Sequence, residues 1–441
     1  MTDATSAAEG APAFPAGEGR VDRPPRQLWR ILGLWAAFVA VHLVVGLLAL
    51  YGPGLPLGDV NFVYSFWVQY GFTHGIWVGI DTVWVYPVMA LLPMLAANLF
   101  GPDFYASTWL SLVMLVNAGA FAVIVRSGRD PARRRIGWWW LAFLALLGPI
   151  AVGRIDSVTV PIAIVGVLML FSRPRLAGVL LTIAAWIKVW PAAIVVAAIV
   201  ALPRRTAVFA AAVASSVLVA SVAIAFGGGA NLLSFVSQQA GRGLQVEAPI
   251  SAIWMWGARS GTGSVYYDTD ILTYQVTGPG SDVAAAVMTP LLALVAALIL
   301  LLGLHLIRRG IPAEHVLPPL VLALTTSLIV FNKVGSPQFV TWLAVPLVLG
   351  LATTAPRVQS FRMPAVLILT IAALTQAIYP YLYWQVISLN AIMLVVLTAR
   401  NLLYVLLLVW AVRSLVRLAA RDREFQGSAS VVTFVTTNGI R

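Results

Sequence analysis

The chain of 441 residues contains two lysines, Lys188 and Lys333, and both lie in apolar stretches that are interrupted by a proline. Lys188 occurs in AWIKVWPAA and Lys333 in FNKVGSPQF, where the proline follows three and four residues later, respectively. A lysine ammonium binds phosphate as a compact point charge, and irregular backbone is tolerated at membrane depth only where it lines a cavity. We therefore expect both lysines to converge on one phosphate group, with hydrogen bonds from Ser336 and Gln338. The alternative is that each lysine only interacts with the carbonyl end of a helix.

A carboxylate, Asp59, follows the first long apolar run and opens a stretch in which apolar and aromatic residues recur on one face. A hydroxyl group that acts as a nucleophile needs a base to take up its proton, and a carboxylate is the simplest such group. Asp59 is therefore the candidate for a general base. Asp156 and Glu247 are weaker candidates for the base and better suited to contacts with a sugar or a cation. The structural alternative for Asp59 is the N-cap of the following helix.

Several further ionisable residues lie near predicted helix ends and outside the clusters of basic residues: Asp81, Arg154, Arg242 and Arg400. Ionisable groups at membrane depth are costly unless they are paired or hydrated, so a functional role is the first hypothesis for them. A guanidinium group can hold phosphate with two parallel hydrogen bonds, and we assign that role to Arg242. Arg154 and Asp156 could instead form a structural ion pair.

The composition identifies the class of protein that must position these groups. The chain is 60% hydrophobic and only 10% charged, which is too little polar surface to enclose a water-soluble core. It is expected to be a polytopic membrane protein. The formal net charge of +12 is compatible with nucleic-acid binding, but most of the arginines lie in short basic connections such as RSGRDPARRR, so no nucleic-acid partner is expected.

The basic connections predict the topology. The positive-inside rule places them and both termini in the cytoplasm, and it leaves the ionisable residues named above on the outer side. Between the connections the sequence predicts about twelve membrane-spanning helices, near residues 31–51, 105–125, 137–152, 157–171, 176–188, 190–203, 207–226, 284–307, 316–331, 339–355, 364–380 and 401–419.

The rest of the chain is assigned to external segments and tails. The apolar run at 85–100 contains two prolines and is short, so we interpret it as an interfacial helix in the external segment 52–104. A second external segment is expected at 227–283. The predicted fold is therefore all-α, with a transmembrane domain at 28–421 and external interfacial helices. The tails at 1–27 and 422–441 are expected to be disordered.

Six short motifs occur in the order GDVNFVY, VYPVMALLPMLAANLFG, GRIDS, IKVWP, GRGLQVEAP and NKVGSPQF. In this order they resemble the GT-C superfamily of integral membrane glycosyltransferases, and within it glycosyltransferase family 87. The resemblance extends from about residue 30 to residue 421, and GRGLQVEAP and NKVGSPQF are its most specific parts. The family includes actinobacterial mannosyltransferases that use polyprenyl-phosphate-linked sugar donors.

The resemblance implies an inverting transfer of a sugar, with mannose first, from a polyprenyl-phosphate donor to a glycolipid or cell-envelope glycan. It implies an active site on the outer face of the plasma membrane, with Asp59 in the position of the family's first-loop aspartate. Arabinofuranosyl transfer from the same class of donor is the alternative, and a lipid or solute transporter or flippase is the alternative from a different class. A transporter of this size would be expected to show repeated halves, which the sequence lacks.

We expect the substrates to contact a set of polar residues on the outer side: Lys188, Lys333, Arg242, Gln245, Glu247, Asp156, Arg154, Ser336, Gln338 and Tyr86. No cofactor is expected, and a metal is not favoured, because the four histidines are scattered along the chain without ligand spacing. The aromatic motif YPYLYW is first of all an interfacial belt, although Tyr381 or Trp384 could stack on a sugar. The donor sugar, the acceptor, the linkage and the oligomeric state are not fixed by the sequence.

Overall fold

A computed structural model describes residues 25–126, 130–238, 242–353 and 359–437. Most of the chain is helical, and the α-helices in chain order are α1 (Pro25–Tyr51), α2 (Ser65–His74), α3 (Leu91–Ala97), α4 (Tyr105–Val125), α5 (Pro131–Leu147), α6 (Asp156–Met169), α7 (Pro174–Ile187), α8 (Ala192–Ala201), α9 (Arg205–Ala225), α10 (Ser234–Ser237), α11 (Ala252–Arg259), α12 (Ser281–Arg308), α13 (Ala313–Val330), α14 (Ala344–Thr353), α15 (Arg362–Gln376), α16 (Tyr383–Ile387) and α17 (Ala391–Thr437). The predicted tail at 1–27 lies almost entirely outside the described residues. The predicted tail at 422–441 begins on α17, and its last four residues lie outside the described part of the chain.

Among the described residues, seven helices are long and apolar enough to cross a membrane: Leu28–Tyr51, Pro102–Val125, Arg205–Ala225, Ser281–Arg308, Ala313–Val330, Arg362–Tyr381 and Ala391–Ala420. The other predicted spans correspond to α5, α6, α7, α8 and the segment Pro337–Thr353, which are shorter or carry more charge. The chain is therefore a helical membrane protein. The total of about twelve crossings stays a prediction.

Helix α13 lies at the centre of the helical packing. It contacts α8, α12, α14 and α17, and nearly all of its residues are buried. A helix that is apolar on all sides is stable only when it is surrounded by others, which explains this position. A second group of helices, α4, α6, α7 and α9, packs beside it, with α6 in contact with α14. The beginning of α6 and the end of α13 thus approach the same region of the protein.

The first predicted external segment contains short helices. A π-helix, Asp59–Tyr64, runs directly into α2, and a 3-10 turn, Val88–Ala90, runs into α3. The apolar helix Val88–Ala97 is too short to cross a membrane, which agrees with the predicted interfacial helix.

The second predicted external segment differs from the all-α expectation, because it contains a three-stranded antiparallel sheet. The strands are β1 (Leu244–Gln245), β2 (Ser264–Asp268) and β3 (Thr273–Thr277), in the order β1-β3-β2. Strands β2 and β3 form a hairpin in which Tyr267 lies opposite Tyr274. The sequence of these strands contains only a short alternation of side chains, such as Val265 and Tyr267 on one face of β2. A stretch of this length cannot be distinguished from a loop by its pattern alone.

The FNKVGSPQF motif forms a break between helices, as predicted. Helix α13 ends at Val330, the chain then leaves the helical conformation, and a 3-10 helix, Pro337–Leu343, continues into α14. Pro337 occupies the first turn of the new helix. Backbone N–H groups in this turn have no partner within the helix, so a proline, which lacks the N–H, loses no hydrogen bond there. The break therefore places Lys333 in irregular backbone between two buried helices.

Candidate active site

The Asp59 carboxylate forms an ion pair with Arg154. The distance from Arg154 Nε to Asp59 Oδ2 is 3.1 Å, and the side chains are 6% and 36% exposed, respectively. Asp59 is the first residue of the π-helix, and the N-cap position before it is Gly58, which makes no side-chain capping bond. The N-cap alternative for Asp59 is therefore wrong. Its carboxylate is instead a partly exposed acceptor whose orientation is fixed by a buried cation.

Arg154 is held by three further acceptors. Its Nη1 donates to the carbonyl oxygens of Pro56 and Gly153 at 2.7 and 2.9 Å, and its Nη2 donates to the Tyr379 hydroxyl at 3.0 Å. Burial lowers the pKa of Arg154, but Asp59, Tyr379 and Tyr64 together outweigh this effect, and the pKa lies above its ordinary value. The guanidinium group therefore remains charged and acts as a rigid support for Asp59.

Lys188 forms the second ion pair, with Asp156. The distance from Lys188 Nζ to Asp156 Oδ2 is 3.2 Å, and the Asp156 side chain is 0% exposed. Trp342 Nε1 donates to the other carboxylate oxygen at 2.6 Å. The alternative ion pair between Arg154 and Asp156 is therefore wrong, because each of these residues binds a different partner.

The two lysine motifs meet in space. Lys188 Nζ lies 4.9 Å from the centre of the Tyr86 ring and 5.9 Å from that of Phe339, which belongs to FNKVGSPQF. A cation over an aromatic face is stabilised by the ring electrons, so these rings orient the ammonium group. The two motifs are therefore neighbours, whereas the convergence of Lys188 and Lys333 on one phosphate group stays a prediction.

Tyr86 also links Lys188 to the other cations. Its pKa is raised by burial and by the charge of Asp59, whereas Lys188 lowers it. The pKa of Arg242 is lowered by burial, while the charge of Tyr86 acts in the opposite direction. The pKa of Lys333 is lowered by burial and then by Arg242. We call Asp59, Tyr86, Lys188, Arg242 and Lys333 the Tyr86 cluster, since Tyr86 interacts electrostatically with Asp59, Lys188 and Arg242, and Arg242 interacts with Lys333.

The motifs GRGLQVEAP and NKVGSPQF are tied together by backbone contacts. The Gln245 N–H donates to the Lys333 carbonyl at 3.0 Å, and the Gly335 N–H donates to Gln245 Oε1 at 3.0 Å. A Cβ atom on Gly335 would lie 2.1 Å from the Ala248 nitrogen and 2.2 Å from the Glu247 carbonyl carbon. Only glycine allows the two backbone segments to approach this closely. The Gln245 side chain therefore has a structural role, as acceptor of the Gly335 N–H, in addition to its predicted contact with substrate.

Glu247 is enclosed in an unusual setting. Its side chain is 1% exposed, and among the described residues neither carboxylate oxygen has a hydrogen-bond partner. Arg400 Nη2 donates to the Glu247 backbone carbonyl at 2.6 Å, not to its carboxylate. Burial raises the pKa of Glu247 to about 7, although Arg400 and Arg154 act to lower it. The residue is thus able to exchange a proton near neutral pH.

Sequence reasoning missed two side chains that complete these pairs. Tyr379 and Trp342 bind Arg154 and Asp156, but aromatic residues at helix ends are common, so neither stood out. Ser336 is partly exposed and Gln338 is buried, and their contacts with substrate stay predictions. Among the described residues no group of three or more potential metal ligands comes together.

The comparisons with known proteins identify the family. The model of glycosyltransferase family 87 matches residues 84–331, which is more than half of the chain. No curated protein and no solved structure matches the chain. The match includes Arg154, Lys188 and Glu247, whereas Asp59 and Lys333 lie outside it, so their roles rest on the geometry described above. The chain therefore belongs to glycosyltransferase family 87, a GT-C-type family of membrane glycosyltransferases.

Proposed function

We propose that the protein transfers mannose from a polyprenyl-phosphate donor to a glycolipid or cell-envelope glycan on the outer face of the plasma membrane. The donor of this class carries a phosphate between an apolar chain and a sugar. The apolar chain suits the space between membrane helices, and the phosphate suits the cations of the Tyr86 cluster. Family membership supports the reaction class, and the arrangement of charges supports the donor class.

The single observation that carries the proposal is the position of the Lys188 ammonium group, which lies 4.9 Å from the centre of the Tyr86 ring and 5.9 Å from that of Phe339 in FNKVGSPQF. Lys188 lowers the pKa of Tyr86 and Asp59 raises it, and Arg242 interacts with the same side chain. Burial lowers the pKa of Lys333, the like charge of Arg242 lowers it further, and a bound phosphate would stabilise the charged form of both side chains. An anion is therefore the ligand that this group of charges favours.

Asp59 is the group assigned to proton transfer. As the acceptor hydroxyl attacks the anomeric carbon, its proton passes to the Asp59 carboxylate and the bond to the prenyl phosphate breaks. The phosphate leaves with the electron pair of that bond and is stabilised by the cations. A direct displacement of this kind inverts the anomeric centre, so a β-linked donor gives an α-linked product.

The test is a transfer assay with purified protein and radiolabelled synthetic donors. Prenyl-phosphate mannose is offered beside prenyl-phosphate arabinofuranose, each with the same lipid chain, so that only the sugar differs. We expect transfer from the mannose donor and an α-linked product. Transfer from the arabinose donor alone would identify arabinofuranose, and not mannose, as the donor sugar. The proposed phosphate site would be unaffected by this result. Absence of transfer from both donors, with protein that is folded and pure, would contradict the donor class. A transporter is not favoured, because the family consists of glycosyltransferases.

A further inference from the structure

A row of tyrosine rings leads from the surface of the small sheet to the ion pair of Asp59. Tyr267 on β2 lies 4.9 Å from Tyr274 on β3, measured between ring centres. Tyr274 lies 6.0 Å from Tyr383, and Tyr383 lies 5.1 Å from Tyr379. The Tyr379 hydroxyl then accepts the hydrogen bond from Arg154. We call these four side chains the tyrosine row.

Each ring of the row keeps an accessible part. Tyr267 is 46% exposed, and Tyr274, Tyr383 and Tyr379 are partly exposed. A tyrosine that served only the core would be expected to bury its ring and to satisfy its hydroxyl inside the protein. The rings also belong to different elements, namely the sheet, α16 and the π-helix Ala377–Tyr381. The row is therefore assembled by the packing of these elements, since no single element produces it.

The inner end of the row contains an unsatisfied polar group. Glu247 is 1% exposed, and its carboxylate oxygens have no hydrogen-bond partner among the residues that the structure describes. Its charge acts on Tyr383, whose pKa is raised mainly by burial and next by Glu247. Buried polar groups are normally hydrogen-bonded, so an unpartnered carboxyl beside partly exposed rings indicates a place for a ligand with hydroxyl groups.

We propose that the tyrosine row and Glu247 bind the saccharide part of the acceptor and guide its terminal hydroxyl to Asp59. This inference rests on the proposed function, because it requires that the acceptor is a glycan. Sugars have apolar C–H faces, which suit aromatic rings, and hydroxyl edges, which suit a carboxyl group and phenol hydroxyls. The row reaches Asp59 through Tyr379 and Arg154, whereas the proposed phosphate site reaches it through Tyr86 and Lys188, so donor and acceptor approach the base by different side chains.

The strand β2 offers a matched pair of variants. Tyr266 and Tyr267 are neighbours on the strand, each is 46% exposed, and successive side chains of a strand point to opposite faces. Tyr267→Ala removes a ring of the row, Tyr267→Phe keeps the ring without its hydroxyl, and Tyr266→Ala removes an equally exposed ring on the other face. Any general effect of losing an exposed tyrosine from β2 will appear in Tyr266→Ala as well.

The experiment measures transfer from radiolabelled prenyl-phosphate mannose to octyl mannosides and octyl arabinofuranosides, each as a single-sugar and as an oligosaccharide acceptor. We expect Tyr267→Ala to raise the KM for the long acceptor by about three- to tenfold, since one aromatic contact is lost. The KM for the single-sugar acceptor and for the donor should not change, because Tyr267 is the outermost ring. Tyr267→Phe should raise the KM for the long acceptor less than Tyr267→Ala does, because the ring remains, and Tyr266→Ala should leave the KM for the long acceptor unchanged.

Three results would overturn the inference. The first is an unchanged KM for the long acceptor in Tyr267→Ala, and the second is an equal rise in Tyr266→Ala. The third is a rise in the donor KM instead, which would assign the row to the lipid chain of the donor. A wild-type protein that transfers sugar to none of these acceptors would contradict the proposed function itself, and this outcome is distinct from a change in the Tyr267 variants alone.

Discussion

Arg154 holds Asp59 with Nε at 3.1 Å and uses its Nη atoms to bind Pro56, Gly153 and Tyr379. The planar guanidinium group thus fixes the Asp59 carboxylate relative to the backbone of two segments. Lysine has the same charge but a single nitrogen, so it cannot make these contacts together. The relationship predicts that the shape of Arg154, and not only its charge, is required.

Arg154→Lys should lower kcat by about ten- to a hundredfold, because a small displacement of a catalytic group is costly. The KM for the donor should change little, since the cations of the Tyr86 cluster are intact. Steady-state kinetics with a synthetic donor will measure both values, and Arg308→Lys at the end of α12 is the control. A kcat equal to that of wild type would show that the position of Asp59 does not depend on this guanidinium group.

The ion pair of Lys188 predicts a loss of stability when only one partner is removed. Asp156 is 0% exposed, so Lys188→Ala leaves a buried carboxylate without its cation, at a cost of about 3–5 kcal/mol. The double variant Lys188→Ala/Asp156→Asn removes that charge and keeps an acceptor for Trp342, so most of the stability should return. Thermal unfolding in detergent will compare the proteins.

The same double variant separates structure from donor binding. If Lys188 binds the donor phosphate, the KM for the donor should remain raised although the protein is stable again. Recovery of both stability and donor KM would assign Lys188 a structural role only.

Gly335→Ala should disrupt the contact between the two most specific motifs. The added Cβ would lie 2.1 Å from the Ala248 nitrogen, and backbone atoms cannot move away as a flexible side chain can. We expect the melting temperature to fall and the donor KM to rise, because Lys333 and Glu247 flank this contact. Gly119→Ala is the matched control, since no atom lies within 4 Å of a Cβ there. A Gly335→Ala protein with normal stability would contradict the close approach of the motifs.

Glu247 predicts a specific dependence of stability on pH. Its pKa is about 7 in the folded protein against 4.5 for the free side chain, so the folded state binds the proton more tightly. Stability should therefore fall as pH rises from about 4.5 to about 7, by about 3 kcal/mol in total. Glu247→Gln should abolish this part of the pH dependence and be more stable than wild type at pH 8.

The measurement is the melting temperature of both proteins between about pH 5 and pH 8. Glu314→Gln is the control, because Glu314 is exposed at the start of α13. If the curves of wild type and Glu247→Gln remain parallel over this range, the raised pKa of Glu247 is wrong.

The sequence predicted where the reactive segments lie but not how their side chains pair. The breaks at Lys188 and Lys333 could be found because prolines and lysines are conspicuous in apolar runs. The pairing of Arg154 with Asp59, and not with Asp156, depends on how the turn before α6 meets the segment from Pro56 to Asp59, which local patterns do not encode. The burial of Glu247 likewise results from Gly335 of a distant loop.

The assignment of Asp59 as the base is the central claim, and Asp59→Asn tests it most directly. The asparagine oxygen can still accept the hydrogen bond from Arg154, but the guanidinium group loses its counter-charge, so the free energy of unfolding should fall by about 1.5–3 kcal/mol while the protein stays folded. Loss of the proton acceptor should lower kcat by about 10² to 10⁴, or roughly 3–5 kcal/mol of barrier. The measurement is turnover of purified Asp59→Asn with donor in excess, beside its melting temperature. Our account predicts a stable protein that binds donor and barely turns over, and turnover within a few-fold of wild type would contradict it.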